Sequence, residues 1–315
     1  SSERTDLVNN TGTTGPKKST KMFVSGVLIL TISNILVKTI GLLFKIPLHD
    51  YLGDEGMGYF NAAYTIYTWF YMISTAGLPI AMSVLVSKSR AKGNFNQVKK
   101  ILRLSLWLFF IVGSVGMLIL ALGSGVFAAL IKVERANLCI LAIAPTLFFV
   151  CLTSAYRGYF QGHQIMWPTA VSQLIESVGK LVLGILFASW SISRGDPLYV
   201  TAAYTILGIT IGVFCGMVFI WITKLLYNTD AVNAEYALPD SYTMPTERTK
   251  TLLKELVVIA IPVTLSSSVM SLANLVDLMG VSRRLQASGL SEKAAAALYG
   301  NYTTLAVPLF NLPPV

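Results

Sequence analysis

Charge is scarce in this sequence. Only 12% of its 315 residues are Asp, Glu, Lys or Arg, where a soluble domain carries about 25%. That scarcity excludes an ordinary water-soluble globule. Histidine is nearly absent, at two residues. The three cysteines (Cys139, Cys151, Cys215) all fall inside apolar runs without metal-ligand spacing, so they read as small buried side chains. No G-x-x-x-x-G-K-[ST] phosphate cradle is present, since "SVGKL" offers a Gly-Lys pair alone. H-E-x-x-H, G-x-S-x-G and clustered Cys/His patterns are also missing. No catalytic residue, cofactor or metal is therefore expected, and ATP-driven transport would need its phosphate cradle elsewhere.

What the sequence has is apolar length. Hydrophobic residues make up 54% of it and the mean hydropathy is +0.64. Runs long enough for a hydrocarbon core of about 30 Å recur along it. They are continuous rather than alternating with period two, which favours helices over a β-barrel. The fold class expected is an all-α polytopic membrane protein. Eight spans are expected, at 22–46, 58–87, 101–131, 136–160, 168–191, 198–227, 254–281 and 293–315. "AGLPIA" (76–81) predicts a break in the second, because Pro79 removes a helical hydrogen bond. A polar tail precedes the first span, which is too long for a signal-peptide core, so no cleavable signal is expected.

The formal net charge of +9 points to topology rather than to nucleic acid. Lys and Arg concentrate in the tail (Lys17, Lys18, Lys21) and in the loops after the second span (Lys88 to Arg103) and the sixth (Arg248, Lys250, Lys254). The positive-inside rule then places the N-terminus in the cytoplasm. The expected organisation is a disordered tail at 1–20, a six-helix lobe at 21–228, a cytoplasmic linker at 229–252, and two helices of a second lobe at 253–315. A chain stopping at "LFNLPPV", in or just after an apolar span, is expected to be part of a longer protein. A weak internal echo supports two lobes: "AYTIY" (63–67) and "LYGNY" (298–302) each precede a proline by about a dozen residues.

Ionisable residues inside spans are costly and are functional candidates by default. Lys38 and Lys45 lie seven residues apart in "KTIGLLFK", hence on one helical face about 10 Å apart. Asn34 and Gly41 share that face. Lys38 is deep and suits a cavity role; Lys45 suits either a cavity or snorkelling to the headgroups. In "SQLIESVGK" (172–180) Glu176 and Lys180 form an i,i+4 pair. It reads either as a self-neutralised staple or as a cavity wall in which Lys180 meets an anion. In "SLANLVDLMGVSRR" (271–284) Asn274, Asp277 and Arg284 fall on one face. Asp277 could bind a cation or pair with one on another span. Arg157 and His163 lie in "AYRGYFQGHQIMWPTA", expected to join spans four and five, with His163 read as a loop or headgroup contact.

Together these segments resemble a known family. "KIPLHDYLGDEGMGYFNAAYTIY" with "STAGLPIAMSVLVSK" is similar to the first helical hairpin of bacterial polysaccharide-biosynthesis flippases. The branch is that of the sporulation protein SpoVB and its MurJ-like relatives, in the MOP superfamily that also holds MATE drug exporters. "AYRGYFQGHQIMWPTAVSQLIESVGKLVLG", "IPVTLSSSVMSLANLVDLMGVSRRL" and "YGNYTTLAVPLFNLP" extend the likeness over 22–315. The resemblance implies a fourteen-helix, two-lobe fold around a central cavity, of which this chain holds about eight helices. It further implies movement of an undecaprenyl-diphosphate-linked glycolipid, such as lipid II, across the cytoplasmic membrane by alternating access. Partners would be that substrate, membrane lipids and a coupling ion, with no nucleic acid. Basic residues of the cavity would hold the diphosphate, which carries over to Lys38, Lys45 and Lys180, with Arg157 and Arg284 as further cations. Asn34, Glu176, Asn274 and Asp277 would be its polar or coupling residues. All three core positions are Lys, which keeps the charge but not the planar fork of Arg. "TIYTWFYMIS" lacks the second-helix Arg of the MurJ-type relatives, which weakens the case for lipid II in particular. Two other readings remain: a cation-coupled MATE-like exporter, and a membrane glycosyltransferase using Asp50, Asp54 or Glu55.

Overall fold

The computed structural model describes residues 15–227 and 239–303, with side chains from residue 25 onward. The tail as far as residue 14, the first part of the expected linker (229–238) and the end of the last expected span (304–315) lie outside the described residues. Among the described residues every regular element is a helix. Helix α1 runs Gly15–Thr75, α2 Leu78–Ala91, α3 Phe95–Leu122 and α4 Ser124–Leu130. Then follow α5 at Asn137–Gly162, α6 at Trp167–Ser193, α7 at Leu198–Leu226, α8 at Thr249–Ala287 and α9 at Glu292–Asn301.

Among the described residues six helical segments are long and apolar enough to cross a membrane, the first of them Ser25–Ala91. It takes in both of the first two expected spans, because no extended loop separates them. Helix α1 is instead broken at one residue, Gly53, with φ 59° and ψ −174°. A side chain there would be strained, so glycine makes the break inexpensive. It divides α1 into a first arm before Gly53 and a second arm after it. The expected interruption at "AGLPIA" is present too: α1 ends at Thr75, and α2 begins at Leu78 with Pro79 in its first turn, where a missing N–H costs nothing.

Helix α5 is the hub. Ile140, Ile143, Leu147, Cys151, Ala155 and Phe160 are sealed from the surface. It contacts α1, α2, α3 and α7. The Thr146 and Thr210 hydroxyls meet at 2.7 Å, and Thr210 also donates to the Ala142 carbonyl at 3.0 Å, giving α5 and α7 a polar tie inside an apolar bundle. Helices α6 and α7 approach backbone to backbone at Gly179 and Gly212, where a Cβ on either would meet the other chain at under 3.0 Å. Small residues are what permit such contact between membrane helices. The first arm of α1 is held against α6 by Ser33, which donates to the Ala170 carbonyl at 3.1 Å, and by the Phe44 ring over Gly184. Its other flank carries exposed Ile32, Ile35, Leu43 and Ile46, as a lipid-facing surface should.

Against the second arm lies α9. A Cβ at Gly58 would overlap the Ala296 carbonyl, and one at Gly300 would crowd the backbone of Asp54 and Gly58. Helix α8 packs against α1 and α2, its approach set by Gly77, whose missing Cβ makes room for the Ala260 carbonyl. Ahead of α8 the chain is seated on the start of α3: Asn94 and Asn96 donate to the Pro245 and Met244 carbonyls, and Lys100 to that of Glu247 at 2.6 Å.

Candidate cation-lined cavity

Helical periodicity puts Lys38, Gly41 and Lys45 on one face of the first arm, and all three line a cavity of 450 Å³. Helix α6 adds Ser177 and Lys180 to its wall, and the second arm adds Phe60, Asn61 and Tyr64. Three ammonium groups thus converge from two helices, and no Asp or Glu is among the described lining residues. None of the three is in an ion pair among the described residues. Lys38 is exposed at the rim, whereas Lys45 and Lys180 are half-buried. A concave, low-dielectric site with several cations and no internal anion is built to attract negative charge from outside.

A second cavity of 230 Å³ adjoins the first and shares Lys45, Asn61 and Tyr64 with it. Here the second arm presents Asn61, Tyr64, Thr65 and Thr68, the i, i+3, i+4, i+7 set of a single helical stripe. Ser271, Asn274 and Asp277 of α8 face it, with Tyr299, Tyr302 and Thr303 at the end of α9. The hydroxyls of Thr65 and Tyr299 are 3.3 Å apart, so the two segments expected to echo each other meet here.

Other expected site residues lie elsewhere. Glu176 does not pair with Lys180. Its Oε1 accepts from Arg157 Nη2 at 2.9 Å, and Arg157 Nε donates to Ser172 Oγ at 3.0 Å. Both side chains are nearly sealed, at 11% and 12% exposure. Arg157 therefore sits within α5 rather than in a loop, and neither it nor Glu176 lines either cavity. Asn34 is exposed and absent from both linings, because the first cavity begins at Val37 along α1. Arg284 is exposed near the end of α8, two turns past Asp277 and beyond the polar cavity. His163 is fully buried, with Nδ1 2.9 Å from the Tyr159 carbonyl, rather than a headgroup contact.

The acidic segment at the α1 break is committed to local contacts. Asp54 Oδ1 lies 2.9 Å from His49 Nε2, while Glu55 accepts from Tyr59 at 2.8 Å and lies 3.5 Å from Lys293. Among the described residues no three His, Cys, Asp or Glu side chains gather as metal ligands would. The residues sequence reading missed are Asn61, Thr65, Thr68 and Ser177. The signal for the first three was the polar stripe at helical spacing within an otherwise apolar second span, whereas Ser177 lies on α6, one turn before Lys180.

Residues 23–314 match the model of the polysaccharide biosynthesis protein family. The chain belongs to that family. Among its relatives are the lipid II flippase MurJ of Bacillus subtilis (strain 168), 30% identical over 208 residues, and stage V sporulation protein B of the same organism, 25% identical over 292 residues. These alignments cover 62% and 92% of this chain but only 38% and 55% of the relatives, so the chain spans about half their length or less. The fold is also that of solved MOP-superfamily structures. A multidrug resistance MATE family transporter in its inward-facing conformation matches with a TM-score of 0.64 at 16% identity, over 90% of this chain and 62% of that one. An outward-facing MATE structure matches with a TM-score of 0.60 at 17% identity, over 90% and 68%. The family member described here is a multi-pass bacterial membrane protein, all-helical among its described residues, with the fold of solved MOP-superfamily structures.

Proposed function

We propose that this chain forms the cationic half of a flippase that moves an undecaprenyl-diphosphate-linked glycolipid across the bacterial cytoplasmic membrane, and that it is a transporter rather than an enzyme. One observation carries the reading: Lys38, Lys45 and Lys180 line one cavity with no carboxylate among them. A diphosphate headgroup loses a large hydration energy on leaving water, and fixed ammonium groups offset that loss where they need not reorganise. The kinship with a lipid II flippase agrees with such a headgroup. The polyprenyl tail would remain in lipid beside the first arm of α1, where Lys38 reaches the exposed rim.

In this reading the helices up to α7 form one lobe, and α8 and α9 begin a second. The N-terminus is cytoplasmic, and rocking of the lobes exposes the cavity alternately to the two sides. A MATE-like exporter of organic cations suits this cavity poorly, because a cationic drug would meet three ammonium groups. Glycosyl transfer suits it no better, because Asp54 and Glu55 are engaged with His49, Tyr59 and Lys293, and Asp50 is exposed and lines neither cavity.

The test is a flipping assay in liposomes with the protein at its full natural length, comparing lipid II with a teichoic or capsular precursor. Lys38→Ala should lower flipping at least tenfold, the loss of one charge-assisted phosphate contact, with expression and melting unchanged. Retained flipping in that variant would sink the assignment.

A further inference from the structure

We infer that the 230 Å³ cavity is a saccharide subsite, taking the first sugar ring attached to the diphosphate held in the cationic cavity next door. The inference rests on the flippase reading above and adds the part of the substrate that the lysines do not address.

Adjacency comes first. In a prenyl-diphosphate glycolipid the sugar is bonded directly to the second phosphate, so a sugar site must open from the phosphate site. The two cavities do so, sharing Lys45, Asn61 and Tyr64. Lys45 stands at the junction, where the sugar-bearing phosphate would lie. Size comes second. The volume of 230 Å³ equals that of about eight liquid waters, the scale of one hexose and not of an extended glycan.

Chemistry decides the class. A pyranose presents a ring of hydroxyls that both donate and accept, with apolar C–H faces between them. The lining matches this, since the Asn274 amide does both, the Tyr299 hydroxyl can donate or accept, Thr65 keeps an acceptor lone pair while donating to the Asn61 carbonyl, and Asp277 accepts. Tyr64 and Tyr302 supply aromatic rings for the C–H faces. The competing occupant is a bare metal cation at Asp277. The cavity suits it poorly, because Asp277 is the only carboxylate among the described lining residues and the Lys45 ammonium shares the chamber. A hard cation collects several oxygen ligands, usually more than one of them charged.

The arrangement also has a consequence for transport. The sugar would be gripped between the second arm of α1 and the α8–α9 pair, whereas the diphosphate is gripped between α1 and α6. Sugar identity would then be sensed where these helix groups meet.

The experiment measures binding to the purified full-length protein of two water-soluble probes. One is a short-chain prenyl diphosphate, and the other is the same compound carrying one N-acetylhexosamine. The wild type should bind the sugar-bearing probe about tenfold more tightly, the worth of one or two net hydrogen bonds. Asn274→Ala and Asp277→Asn together should erase that preference and leave the sugar-free probe within twofold. Lys38→Ala should weaken both probes equally. Equal affinity of the wild type for both probes overturns the sugar subsite while sparing the flippase reading. Failure to bind either probe overturns both. A sodium-dependent affinity that the Asn274/Asp277 variant loses, with sugar preference intact, marks a cation site and overturns the inference. Melting temperatures of all variants should match the wild type, and Asp277→Asn alone, which keeps the side-chain shape, guards against a fold defect in the double variant.

Discussion

Helix α6 carries two opposite charges one turn apart, and they meet opposite fates. Glu176 is locked to Arg157 at 2.9 Å, with both side chains nearly sealed. Lys180, four residues on and about 6 Å along the axis, faces a cavity beside Lys38 and Lys45 with no carboxylate among the described lining residues. One site is neutralised within the fold and the other is left positive. Charge that the fold neutralises serves the fold, because an uncompensated ion in an apolar interior is costly. Charge that it leaves unneutralised has a cost with no structural return, so its return must come from outside. The protein therefore separates staple from site along a single helix.

The sharpest way to break this comparison is to remove one partner of the staple. Arg157→Ala should cost about 3–5 kcal/mol, since it strands the Glu176 carboxylate in a buried setting. A drop in the thermal or denaturant midpoint of purified protein would register it. Replacing both partners, as Arg157→Met with Glu176→Leu, should restore most of the loss, because an apolar pair of similar volume is often neutral against a buried ion pair. If Arg157→Ala unfolds within about 1 kcal/mol of wild type, the pair is no staple and the distinction falls.

The cavity lysines should behave in the opposite way. Lys180→Met keeps the length of the side chain and removes its charge, so stability should hold or rise by up to about 1 kcal/mol. Binding of a prenyl diphosphate should fall about tenfold, the worth of one hydrogen bond to a charged group. Titration calorimetry and a melting curve on the same preparation give both readouts. A Lys180 variant that loses stability and keeps its affinity would move Lys180 to the structural side.

The sequence carried the helical architecture and the lysine face because both follow from short-range periodicity. Lys38 and Lys45 needed only the geometry of one helix to be placed together, and a long apolar run states its own class. The Glu176–Lys180 pair failed for the same reason it was attractive. An i,i+4 contact is worth only a few tenths of a kcal/mol, so a guanidinium supplied by α5 displaces it, and no local pattern announces that partner. Asn34 and Arg284 failed on length rather than on angle. Each lies on the expected face, but the cavities occupy only a few turns and end before reaching them. The polar stripe of Asn61, Tyr64, Thr65 and Thr68 was present in the spacing all along. It is quiet because tyrosine and threonine suit an apolar helix nearly as well as a cavity wall.

The smallest effect expected is at the bridge between Lys88 of α2 and Glu255 of α8. Its nitrogen and oxygen lie 3.6 Å apart, and the two side chains are 52% and 34% exposed. Opposite charges are in contact here, as at Arg157 and Glu176, so the two bridges differ chiefly in burial. Water and salt screen the exposed one, and holding two long side chains in register costs rotamer entropy. Lys88→Ala should therefore shift stability by less than about 1 kcal/mol. Whatever shift remains should fade between 0.1 M and 1 M salt, as the screening length shrinks from about 10 Å to about 3 Å. The Arg157→Ala loss should persist across the same range, because screening ions do not enter a sealed site. Melting curves of both variants at the two salt concentrations make the comparison. Parallel salt dependence would mean that burial does not separate the two bridges. The division of α6 into a neutralised staple and a cationic site would then lose its physical basis.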